Sequence, residues 1–207
     1  MVEIYYSILR EASQEIKIQR SRFIGKVKPA TTIEQAEKYI DLISTQHYDA
    51  THNCTAYKVG LGDKAVYRYN DDGEPGGTGG RPILEAIEAE ELTNVVSVVT
   101  RYFGGIKLGT GGLSRAYRNC TEQTLHKAGK KKYYITVPLV IEFPYGFTGI
   151  IMDMVEKNNC RITAKKYGDQ TELSLEVKKS QIQDFKQLLL NKTGGKITIR
   201  EEENEFI

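Results

Sequence analysis

Residues 95–118 read VVSVVTRYFGGIKLGTGGLSRAYR. The opening run, Val95–Tyr102, is β-branched and almost wholly apolar at its start, the pattern of a central strand. Glycines crowd the segment that follows, at Gly104, Gly105, Gly109, Gly111 and Gly112. Glycine permits positive φ and close approach of a ligand to the backbone, so the segment reads as a tight loop with exposed N–H groups. A helix is expected over about 112–127. At ~100° per residue, Leu113, Ala116, Tyr117, Cys120 and Thr124 gather on one side, and Arg115, Arg118 and Glu122 point away from it. The sequence thus predicts strand, glycine-rich turn and helix in succession.

A second glycine cluster, DDGEPGGTGGRP at residues 71–82, precedes this unit. It follows two alternating stretches, 54–59 and 65–69, which read as a hairpin turned by LGDK. Pro82 suits the first turn of a helix running to about residue 91, because the N–H it lacks is unpaired there anyway. Further toward the N-terminus, Ile33, Ala36, Tyr39, Ile40 and Ile43 recur at helical spacing, with Thr32 as N-cap. Residues 15–28 read as one strand whose apolar parity changes, so a bulge or bend is expected near Arg20 and Arg22.

Beyond a linker expected at 128–133, the elements read as strand 134–143, helix 147–158, strand 160–167, a Gly168-Asp169 turn, strand 172–177, helix 180–191 and strand 196–203. The order βαββαβ predicts a ferredoxin-like sandwich. The chain is therefore expected to be α+β, with domains at 1–130 and 134–207.

With 207 residues, 40% hydrophobic and 27% charged, the composition is that of a globular chain with a core. The formal net charge of +2 leaves bulk electrostatics unable to argue for nucleic acid, so only local patches can. Three scattered cysteines, Cys54, Cys120 and Cys160, form no C-x-x-C pair and suit a reducing compartment. No signal-type apolar region or run of ~18 apolar residues is found, which leads to the expectation of a cytoplasmic protein without a membrane partner.

Residues 92–121 contain no acid, yet carry Arg101, Lys107, Arg115 and Arg118. Cations beside a glycine-rich turn and a helix start favour phosphate. The candidate anion or nucleic-acid site is therefore Arg101, Tyr102, Gly104, Gly105, Lys107, Gly109, Gly111, Gly112, Arg115 and Arg118, with Tyr102 and Phe103 as stacking faces. A second cationic stretch, Lys17, Arg20, Arg22, Lys26 and Lys28, extends this patch or protects an edge strand. In the first loop, Asp71, Asp72 and Glu74 hold Mg²⁺ or, better, form a capped turn. Gly79, Gly80, Arg81 and His52 are secondary candidates. Cys54 with His47 and His52 invites a nucleophile reading, but a cysteine in a strand is more often buried and inert. The segment LGTGGLSRA satisfies neither the Walker nor the Rossmann glycine pattern, and no cofactor or metal is expected.

Three motifs in fixed order, THNCTAY at 51–57, DDGEPGGTGGRPIL at 71–84 and VVTRYFGGIKLGTGGLSRAY at 98–117, closely resemble the YigZ/IMPACT family. The resemblance covers 21–129, and the C-terminal pattern agrees with the second domain of bacterial members. It implies a first domain similar to domain 2 of ribosomal protein S5 and a last domain similar to that of elongation factor G, both of which work against ribosomal RNA. Eukaryotic members dampen the starvation response by binding the activator of an initiation-factor kinase through an additional N-terminal domain, which this chain is expected to lack. The family signature here is Arg101, Tyr102, Phe103, Gly104, Gly105 and Gly109, a motif without an attached mechanism. The expected function is regulation of translation or stress response by binding RNA or the ribosome, without catalysis. The alternative is a metal-assisted enzyme acting on a nucleotide or phosphorylated small molecule. A protein partner and the oligomeric state stay open.

Overall fold

The computed structural model describes residues 3–202. The chain forms two compact units, Tyr5–Tyr133 and a second one made of the residues from Tyr134 onward together with those before Tyr5. In the N-terminal unit, β2 (Ala12–Ile18), β3 (Ser21–Pro29), β4 (His52–Val59), β5 (Val66–Asn70) and β6 (Val95–Tyr102) make an antiparallel sheet of order β2-β3-β6-β4-β5. Helix α1 (Ile33–Gln46) connects β3 to β4, α2 (Gly80–Ala89) connects β5 to β6, and α3 (Gly109–Ala128) follows β6. Strand β1 (Ile4–Ile8) pairs separately with β7 (Lys130–Tyr134).

β6 lies at the centre of the sheet and is buried on both faces, as its apolar run demands. Val95 and Val99 join Phe23, Cys54, Ala56, Ile83 and Tyr117 in a core beneath α2 and α3. Val96 and Val98 join Tyr57, Val59 and the Ala36, Tyr39 and Ile43 face of α1. Thr32 caps α1 as expected, its Oγ1 accepting the Gln35 N–H at 3.2 Å.

Residues 15–28 are not one bent strand. The chain reverses at Gln19 and Arg20, with φ of 44° and 66°, so that Ile18 pairs with Ser21 and Ile16 with Phe23. A two-residue turn with both central φ positive matches the twist of a hairpin. The parity change was thus a reversal: residues that seemed to swap faces are cross-strand partners on one face. Nor are 128–133 a plain linker, because 130–134 form β7, and Tyr133 stacks on Tyr5 at 5.1 Å.

The C-terminal unit contains β8 (Thr136–Pro144), α4 (Thr148–Lys157), β9 (Arg161–Lys166), β10 (Gln170–Lys178), α5 (Ile182–Thr193) and β11 (Thr198–Glu201). Its antiparallel order β11-β8-β10-β9 is ferredoxin-like. Alternate residues Leu139, Ile141 and Phe143 of β8, and Leu173, Leu175 and Val177 of β10, meet Ile151, Phe185 and Leu189 of the helices. Glu203, the expected end of the last strand, lies outside the described residues.

Candidate functional site

Because β4 runs antiparallel to both β6 and β5, both glycine-rich loops leave the sheet at the same end: His52 pairs with Arg101, and Thr55 with Asn70. The first loop is organised by two carboxylates. Asp71 Oδ1 accepts the N–H groups of Gly79 at 2.9 Å and Gly80 at 2.8 Å, and Oδ2 accepts that of Gly77 at 2.8 Å. It acts as a remote N-cap for α2, which has no capping side chain of its own at Gly79. Partial burial alone would raise the Asp71 carboxyl, but the N–H groups of Gly77, Gly79, Gly80 and Arg81 hold it below its ordinary value.

Glu74 turns inward and is buried. Its Oε1 accepts from Arg101 at 2.6 Å and from the Tyr117 hydroxyl at 2.8 Å. Its Oε2 lies 3.8 Å from His52 Nε2, while His52 Nδ1 meets the Asp72 carbonyl at 2.7 Å. Tyr117 is held protonated, its pKa driven up by burial and then by Cys54 and Glu74. One carboxylate therefore ties the loop to β6, β4 and α3. Asp72 is also engaged, its Oδ2 accepting the Asn53 N–H at 2.6 Å. The capped-turn reading accounts for these acids, and the bonds they make internally leave the Mg²⁺ reading without support.

Gly79 and Gly80 do not present N–H groups to solvent, because Asp71 takes both. Their lack of a side chain serves packing: a Cβ on Gly79 would lie 2.4 Å from Cys54 Sγ, and one on Gly80 2.5 Å from the Asn70 carbonyl oxygen. Cys54 is fully buried and its thiol is pushed up to about 12 by burial, away from the thiolate form that a nucleophile uses.

The second loop divides the expected site. Arg101 and Tyr102 are neighbours on a strand, so the pleat sends them to opposite faces. Arg101 is 5% exposed, lies 5.6 Å from the Phe23 ring centroid and 5.3 Å from that of Phe103, and is committed to Glu74. It does not present a free guanidinium. Tyr102 lies on the α1 side, where its hydroxyl donates to Asp49 at 3.0 Å and meets His47 Nδ1 at 3.0 Å. Arg22 stacks over the Tyr102 ring at 4.5 Å. Lys26 reaches Gln46 at the end of α1, and Lys28 lies over Tyr39. By contrast, Phe23 and Gly25 face α3. The even-numbered cations of β3 are thus on the far side of the sheet and do not extend the α3 patch.

What remains together lies on and before α3. The helix begins at Gly109, three residues earlier than expected, so Gly109, Gly111 and Gly112 form its first turn. Leu108 at the N-cap supplies no side-chain bond. Gly104 is a packing glycine, since a Cβ there would sit 2.1 Å from the Arg20 backbone, whereas Gly105 and Gly109 face open space. Lys107 and Arg115 are exposed, with no ion-pair partner among the described residues. Arg115 and Arg118 line two open recesses, one of about 500 Å³ against the β2–β3 turn and one of about 360 Å³ against α2. In the latter, Glu85 binds Arg81 at 3.1 Å and Arg118 at 2.5 Å. Sequence reasoning missed this shared acid and the Tyr117 bond. The latter was signalled by a tyrosine on a buried helix face, whose hydroxyl needs a partner.

These features define a two-domain α+β protein: an S5 domain 2-like unit bearing a glycine-rich, arginine-lined surface, followed by a ferredoxin-like unit. Residues 19–125 match the family model described as Impact N-terminal domain, and 141–196 the one described as Domain of unknown function (DUF1949). The IMPACT family member YvyE of Bacillus subtilis is 34% identical over 207 residues, which cover 100% of this chain and 95% of that protein. An IMPACT family member of Haemophilus influenzae is 32% identical over 187 residues, covering 90% and 91%. Protein IMPACT of Rattus norvegicus is 31% identical over 130 residues, covering 55% of this chain and 40% of the rat protein. A solved structure titled "Crystal structure of an hypothetical protein" superposes with a TM-score of 0.70 at 26% identity, covering 99% of this chain and 100% of that one. The chain belongs to the IMPACT family.

Proposed function

We propose that this chain regulates translation or the stress response by binding RNA or the ribosome through the exposed face of α3. The observation that carries the reading is Arg115, which has no ion-pair partner among the described residues, flanked by Lys107, Arg118 and the open first turn of α3, in a stretch without acids. Helix starts and guanidinium groups favour phosphate oxygens without reading sequence. The reading places the protein in the cytoplasm, where its free buried Cys54 and Cys120 suit a reducing medium. No helix among the described residues is long and apolar enough to cross a membrane.

Fluorescence anisotropy with ribosomal RNA fragments and sedimentation with ribosomes, both titrated with KCl, test the proposal. Binding is expected to weaken steeply with salt. Replacing Arg115 and Arg118 by Ala should reduce the log–log salt slope by about 2, roughly one per lost phosphate contact. Absence of binding at low salt to both RNA and ribosomes would refute the reading. An unchanged slope would move the site away from α3.

A further inference from the structure

We propose that the recess between α2 and α3 is a site for a phosphomonoester dianion, as carried by a nucleoside monophosphate or by a phosphorylated RNA end. The proposal rests on the anion-binding reading of α3 and narrows it to one chemical group. The recess is lined by Arg81, Arg115 and Arg118 with one acid, Glu85, so three positive charges face one negative and the net charge is +2. Glu85 serves as a positioning residue. Its Oε1 accepts the Arg81 Nε–H at 3.1 Å and its Oε2 accepts from the Arg118 guanidinium at 2.5 Å. One carboxylate thus holds guanidinium groups from two helices over a common space. Each guanidinium has five N–H donors, and these contacts use only a fraction of them. Arg115 completes the set without an ion pair among the described residues, and its guanidinium folds back toward Gly111, whose added Cβ would lie 3.4 Å from it.

A phosphodiester offers one charge and two terminal oxygens, while a monoester carries about −1.5 to −2 at neutral pH on three strong acceptor oxygens. The net +2 and three forked donors match the monoester in both charge and acceptor number. At about 360 Å³ the recess falls within the ~300–1,000 Å³ range of small-molecule sites. It is open on one side, so a longer chain attached to the phosphate has a way out.

The test uses the full chain with a short oligoribonucleotide carrying a 5′-phosphate, its 5′-hydroxyl twin, the 3′-phosphorylated twin, AMP and inorganic phosphate, measured by calorimetry or anisotropy. A phosphorylated probe is expected to bind at least about tenfold tighter than the hydroxyl twin. The preference should shrink as pH falls below about 6, where a monoester loses its second charge. The exposed Arg81→Gln and Arg115→Gln substitutions should together reduce it to less than about threefold without lowering the melting temperature. Tighter binding of either phosphorylated RNA end assigns the ligand to RNA. Arg115-dependent binding of AMP or phosphate, with no RNA binding, supports the recess while overturning the RNA reading. Equal binding of the phosphorylated and hydroxyl twins overturns the recess and leaves the general α3 reading standing. No binding by any probe overturns both.

Discussion

Glu74 shows how much one side chain in a loop can hold. It neutralises Arg101 in a setting where both side chains are nearly inaccessible, at 2% and 6% exposure. Glu74→Gln leaves a buried guanidinium without its counter-charge, and the expected loss is about 3–5 kcal/mol, read from urea midpoints. A loss below about 1 kcal/mol would mean that solvent reaches the pair. Cys54 and Cys120 make a second prediction. Burial pushes both thiols up to about 12 from an ordinary value of 9.0, so the unfolded chain loses these protons first. Stability should hold below about pH 9 and fall as the pH rises toward 12, by up to about 1.4 kcal/mol per pH unit for each thiol. Stability curves of the Cys54→Ala and Cys120→Ala variants should each show a shallower alkaline decline. An acid-free stretch beside a glycine-rich turn suggested a phosphate ligand at Arg101. Its partner lies 27 positions away in the chain, and such pairing is invisible to a reading of local charge.

At the scale of elements, the pattern of apolar residues was enough for α1, β6 and the βαββαβ order, because burial on one or both faces writes a period into the chain. The β2–β3 hairpin escaped because its turn carries Gln19 and Arg20 where Asn-Gly or Gly would have signalled it. The glycine that this hairpin needs lies in another loop. Gly104→Ala would drive a methyl into the Arg20 backbone, so a loss of about 1–3 kcal/mol is expected in denaturant titrations. Gly105 has φ +85° but meets nothing within 4 Å, and its Ala variant should lose less, by about 1 kcal/mol from backbone strain alone. If the two variants were equally stable, packing against the hairpin would not be the reason for Gly104. The face on which each cation stands was legible only after pairing was known. One residue of register decides whether Arg22 joins Tyr102 or α3.

For the whole molecule, the two units bury separate sets of side chains, one around Phe23 and Tyr117 and the other around Phe143 and Phe185. Truncating Phe185 to Ala should cost about 3–5 kcal/mol in the C-terminal unit. Hydrogen exchange should then accelerate in β8 and β10 while the β6 amides keep their protection; simultaneous loss in both would show that the units unfold as one. The α+β class was readable from the order of patterns, but which side chains the loops bury was not. Glycines that face open space and glycines that pack look alike until their neighbours are known. Asp71 carries the last consequence. A carboxylate seated on the start of α2 is an endogenous counter-ion, a tethered stand-in for the anion that such a helix end attracts. Asp71→Gly should vacate that seat and make the folded state depend on what the buffer supplies: its melting temperature should climb with added sulfate more steeply than that of the parent chain, whose seat on α2 is already filled.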